Sequence, residues 1–191
     1  ADHTTLGLFE VARAARDLVR GGLLANVDDE TMVAAATQTA EAGHGKRAIL
    51  ILQTLRDRPG DRSIDVLASM ATALEAAGER RQAGHLLLEA AQRQTEPETA
   101  LQLARRARDL SPYDPGTLSF LRTVLLAHEP GDSPELEKCT IELLDALIDA
   151  DLVPTALEIC ADARATGSLR PQILMRESRA RQKARDPVGA A

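Results

Sequence analysis

Along most of this chain the apolar residues recur at three- and four-residue steps, the spacing that gathers side chains on one face of an α-helix. The pattern is clearest between Ile64 and Gln94. Leu67, Met70, Ala71, Leu74 and Ala77 share one stripe, and Ala83, Leu86, Leu87, Ala90 and Ala91 share another. Between them stands Gly78, where a left-handed residue can close the first helix and let the chain reverse. A connection this short predicts an antiparallel helical hairpin.

The arrangement repeats. Gly43 precedes Gly78 by 35 residues, and Ala48 precedes Ala83 by the same 35. That period belongs to arrays in which successive hairpins stack on one another.

The same spacing predicts the remaining helices. Thr4 or Thr5 caps one through Leu8, Val11, Ala12, Ala15, Leu18 and Val19, stopped by Gly21-Gly22. Asp28-Asp29 caps the next, which carries Met32, Ala35, Ala36 and Thr39 inward. Ala48, Ile51, Leu52 and Leu55 mark its partner, closed by Pro59-Gly60, and Ser63 caps the central hairpin. Glu96-Pro97 opens a helix with Ala100, Leu103, Ala104, Ala107 and Leu110 on one side. The run Ser111 to Pro115 ends it and starts another through Leu118, Leu121, Val124 and Leu125. Past a turn-rich loop from Glu129 to Pro134, Leu136, Leu143, Leu144 and Leu147 line one helix, and Ala156, Ile159, Cys160 and Ala163 the next. Ile173, Leu174 and Met175 predict a closing helix whose apolar face then fades into a polar, frayed tail from Arg176 to Ala191.

The predicted fold is therefore all-α, an α-α superhelix of antiparallel hairpins with nine or ten helices and no strand. It divides into an N-terminal helix over 1–25, repeats over 28–167, and a capping helix with its tail over 168–191.

Composition narrows the function. Apolar residues make up 44% but aromatics only 2%, with no Trp. A core of Ala and Leu suits closely packed helices, whereas strands favour β-branched and aromatic residues. A net charge of −6 argues against general affinity for nucleic acid or anionic membranes. Cys139 and Cys160 are too few for a disulfide framework, and both fall at apolar helix positions, so they read as small core residues. No run approaches the roughly 20 apolar residues of a membrane span, and no signal peptide opens the chain. The expected compartment is the cytoplasm. The chain opens on Ala1 rather than Met, as a segment of a longer protein would.

Candidate chemistry is sparse. Gly43-His44-Gly45-Lys46-Arg47 faintly resembles a phosphate-binding loop, but Ala40 and Arg47 stand where glycine and Ser or Thr are needed. His85 and Glu89 share a helix face at i,i+4, yet no second histidine is near in sequence. No nucleophile elbow and no Cys-x-x-Cys occurs. The expectation is no catalytic residue, no cofactor and no metal.

Set against helical repeats, these units resemble tetratricopeptide repeats. That motif has a small residue in its first helix, a glycine near the turn, an alanine five later and a second small residue beyond. Ala36, Gly43, Ala48 and Leu55 match three of these positions, and Ala71, Gly78, Ala83 and Ala90 match all four. Thr39 and Leu74 replace the usual ring, and the closing proline is displaced to Pro59 and Pro97, so the resemblance is to a divergent member. Ala100, Ala104, Ala107 and Pro112 resemble a second-helix pattern half a period out of phase, which leaves the later register open. Separately, LGLFEVARAARDLVRGGLL resembles the last helix of the winged-helix segment that closes the PATAN family of bacterial signalling domains.

The repeat resemblance implies a non-catalytic scaffold whose first helices line a concave groove, here in bacterial signalling. The positions it places in that groove are Glu30, Val33, Thr37, Glu41, Asp65, Ala68, Thr72 and Glu75. Such a groove is acidic and lined by small residues, which suits a peptide or helix bearing Arg or Lys. Members that hold a peptide carboxylate use Lys and Asn where Val33 and Thr37 stand, so that activity is not implied. The segment from Ala48 to Ala83 also resembles the helical effector domain of some bacterial transcription regulators, the alternative reading. Finally, the basic clusters Arg105, Arg106, Arg108 and Arg176 to Arg185, with the acidic run Glu129 to Asp151, are opposite patches able to meet between two copies, so a homo-oligomer stays open.

Overall fold

A computed structural model describes residues 27–58, 62–128, 133–165 and 170–185, and among these the chain forms nine α-helices and no strand. They are α1 (Asp29–Glu41), α2 (Gly45–Arg56), α3 (Ile64–Ala76), α4 (Arg80–Arg93), α5 (Pro97–Leu110), α6 (Pro115–His128), α7 (Pro134–Asp149), α8 (Val153–Ala165) and α9 (Pro171–Arg185). The helix expected within 1–25 lies outside the described residues, as do 129–132 and the end of the tail.

Local chemistry starts and stops these helices. Asp28 caps α1 by accepting from the Thr31 amide at 2.7 Å, and that bond holds its carboxyl below the usual carboxylate range. Ser63, 35 residues on, caps α3 by accepting from Val66 N. Asp114 does the same for α6 through Thr117 N at 2.7 Å. Gly43 (φ +82°) and Gly78 (φ +88°) both adopt the left-handed conformation. Behind them His44 N donates to Thr39 O at 3.0 Å and Glu79 N to Leu74 O at 2.8 Å, which satisfies the last helical carbonyls.

Apart from the two turn glycines, the positions that carry the repeat in sequence are in the core. Ala36, Ala48, Leu55, Ala71, Ala83, Leu87 and Ala90 are fully buried. The structure also supplies the register that sequence left open. Asp151 takes the glycine position after α7 with φ +62°, and Leu152 N donates to Leu147 O at 2.8 Å as in the other two turns. An Asp tolerates this conformation better than most residues, and Lys183 pairs with its carboxylate at 3.2 Å. Five residues later stands Ala156, buried like Ala48 and Ala83.

A second repeated device was not anticipated. Arg58, at the end of the first hairpin, donates to Val27 O at 2.6 Å, and Arg93, at the end of the second, donates to Arg62 O at 3.2 Å. Each arginine thus ties its hairpin's exit to the residue just before the cap of its entry. Their spacing is again 35 residues.

Helices touch only those next to them and next but one in sequence, so packing runs along the chain as stacked hairpins require. The side on which alternate helices meet changes. α1 touches α3 while α2 and α4 stand apart, and α4 touches α6 while α3 and α5 stand apart. Two apolar cores result, one centred on α1 to α4 and one on α6 to α9, and Leu103 of α5 packs against both. The joint between them is the α4–α5 seam. Here Gly84 lies so close to α5 that an added Cβ would come within 2.5 Å of Ser111 Oγ.

Two expectations are corrected. On α1 the inward stripe is Val33, Ala36 and Ala40, and Ala35 is exposed. Two stripes one residue apart compete on that alanine-rich helix, and the larger Val33 is the one buried. On α9, Leu174 and Met175 face outward, and the helix does not fade at Arg176 but runs to Arg185. Ion pairs add to the burial of Ile173 and Ala180 in holding it: Arg176 meets Asp145 at 2.8 Å and Arg179 meets Asp149 at 2.9 Å. Glu177 is buried and accepts from both Arg164 and Arg181, at 2.7 and 2.6 Å.

Candidate partner-binding surface

In the first four helices, charge is sorted by helix. α1 and α3 carry Asp29, Glu30, Glu41, Asp65 and Glu75 and no cation. α2 and α4 carry Lys46, Arg47, Arg56, Arg80, Arg81 and Arg93, with Glu89 as the one carboxylate. Because α1 packs on α3, the two acidic helices stand side by side.

Of the eight residues expected in the groove, Glu30, Glu41, Asp65, Thr72 and Glu75 are exposed, and Thr37 and Ala68 are half-buried. Val33 is not part of any groove: at 3% exposure it belongs to the core, a consequence of the α1 rotation described above. Thr37 and Thr72 spend their hydroxyl protons on Val33 O and Ala68 O one turn back. Glu30, Glu41 and Asp65 form no ion pair among the described residues. Glu75 is already engaged. Arg106 of α5 reaches across the gap between α3 and α5 and donates to Glu75 at 2.8 Å and to Thr72 Oγ1 at 3.1 Å. This contact was missed in sequence, since nothing there relates residues 72–75 to 106 until α5 is placed.

The C-terminal charges resolve differently. Arg105 makes a two-bonded fork to Glu135, 2.9 and 2.5 Å, and Arg105 holds that carboxyl below the ordinary glutamate range. With the pairs of α9 on α7, Arg105, Arg176 and Arg179 meet carboxylates of the acidic run within one chain, while Arg106 and Arg108 pair with Glu75 and Asp109.

The weaker motifs are placed as follows. Gly43 N and His44 N, two amides a bound phosphate would need, donate instead to Ala40 O and Thr39 O. Glu89 pairs with Arg93 at 2.6 Å, not with His85. Among the described residues no three His, Cys, Asp or Glu stand together in a way that could hold a metal ion. Cys139 and Cys160 are buried, and burial pushes the Cys139 thiol up to about 12. No described helix is long and apolar enough to cross a membrane.

A cleft of about 120 Å³, lined by none of the α1 and α3 carboxylates, opens between α2 and α4. That is well below the roughly 300–1,000 Å³ usual for a small-molecule site. No family model, curated protein or solved structure matches the chain.

Proposed function

We propose that the chain is a non-catalytic interaction scaffold built on tetratricopeptide-like hairpins, serving in bacterial signalling, and that the α1–α3 face receives a segment rich in Arg or Lys. The observation that carries this is the behaviour of Arg106. One guanidinium set against this face is held by a carboxylate and a hydroxyl together. Glu30, Glu41 and Asp65 extend the same acidic surface without a cation of their own. Exposed charges of this kind set encounter rate and partner choice more than final affinity.

A fluorescent Arg-rich peptide tests the reading. Reversing Glu41 and Asp65 to Lys should weaken its binding by about tenfold and flatten the salt dependence, with helicity unchanged. Binding of equal strength to the doubly reversed protein would refute the assignment. Affinity capture from the native extract would then name the partner.

A further inference from the structure

The cleft between α2 and α4 has the opposite character to the acidic face. Leu52 of α2 with Met70 and Leu74 of α3 form its floor, and Ile49 and Leu86 form its walls. It exists because α1 and α3 touch while α2 and α4 do not, which leaves an apolar trough between the second helices. Gln53, Arg56, Gln82 and His85 complete the lining, and none of the lining residues is a carboxylate. Lys46, Arg47, Arg56 and Arg81 are exposed on the same two helices and form no ion pair among the described residues.

We infer that this trough is a second docking site, and that its occupant is an acidic amphipathic helix from a partner polypeptide. Charge complementarity decides the occupant. Arg56 lines the apolar slot and Lys46, Arg47 and Arg81 stand on the same two helices, against the single carboxylate, Glu79, held by Gln82 of the lining, so the local sign runs against the net charge of −6 of the chain. The volume suits one or two aliphatic side chains rather than a metabolite. A helix laying apolar anchors into the slot, with glutamates turned to Arg56 and Arg81, satisfies both features. Nucleic acid fits less well, because α2 and α4 carry no Phe, Tyr or Trp and the lone imidazole of His85 is not a platform for successive bases. A second copy fits less well too, because among the described residues its exposed large apolar side chains, such as Leu50, Leu152 and Leu174, are scattered and not spaced as a helical stripe.

The site is independent of the acidic face, so the two readings can fail separately. The test uses the full chain and three labelled peptides of about 16 residues, long enough for an anchored helix: leucines at helical spacing with glutamates between them, the same with lysines, and a scramble of the first. The acidic amphipathic peptide should bind, with Arg56→Glu weakening it about tenfold and Glu41→Lys leaving it unchanged, whereas any binding of the lysine peptide belongs to the acidic face and should show the reverse dependence on those two variants. Leu86→Gln gives a second variant within the slot, with thermal melts to show that it folds. Equal binding of the scramble, indifference to both cleft variants, or displacement by single-stranded DNA at comparable concentration would each overturn the inference. So would a mass showing self-association at the concentrations used, with loss of peptide binding as it forms.

Discussion

Replacing Gly84 by alanine sets two effects of known sign against each other. Gly84 sits inside α4, where alanine is favoured by about 1 kcal/mol through backbone entropy. Were α4 merely a helix with a weak residue in it, Gly84→Ala would stabilise the protein. The new Cβ, however, would lie 2.5 Å from Ser111 Oγ, 3.2 Å from Ser111 Cβ and 3.3 Å from Ala107 O. Ser111 is 7% exposed and has little room to turn away, and the other contact is backbone. Overpacking of this kind costs about 1–3 kcal/mol, so the expected net loss is about 1 kcal/mol. For a chain of this size that lowers the melting midpoint by about 2–4 °C. Ser111 Oγ is itself buried without a hydrogen-bond partner, so Ser111→Ala should be neutral or stabilising. In that background Gly84→Ala should lose most of its penalty, because the closest clash is gone. Urea unfolding followed by circular dichroism reads all four proteins. A Gly84→Ala variant more stable than the parent, or an equal loss in both backgrounds, would refute the close α4–α5 seam as the joint of the two cores.

Three further outcomes follow from the geometry. Gly78→Ala, at φ +88°, should cost about 1–2 kcal/mol in the same urea assay despite open space around the position, because the strain is in the backbone. Glu135, whose carboxyl is held below its ordinary 4.5 by Arg105, contributes stability present above that value and lost as the pH falls through its lowered folded value. Arg105→Ala should therefore flatten the acid limb of a stability–pH curve below about 4.5, and an unchanged limb would deny the fork any part in it. Cys139, buried and titrating at about 12, should resist thiol labelling at mildly alkaline pH until the protein is unfolded, whereas rapid labelling of the native chain would place it at the surface.

The sequence by itself determined the helices, because the three- and four-residue period, the caps at Asp28 and Ser63 and the left-handed glycines at Gly43 and Gly78 are local physics. It also carried the sorting of acidic and basic residues onto alternate helices, legible without any coordinates. What it left ambiguous was rotation and register. On α1 the stripes through Ala35 and Val33 differ by one residue, and only packing against α3 decides between them, which removes Val33 from the proposed groove. Asp151 in a glycine's place hid the later turn, since residue type usually announces that conformation and here an ion pair supports it. The reach of Arg106 to Glu75, the docking of α9 by ion pairs and the slot between α2 and α4 depend on which alternate helices touch and which splay. That choice rests on side-chain volumes across a seam, such as Gly84 against Ser111, and a one-dimensional pattern does not contain the distance between two helices.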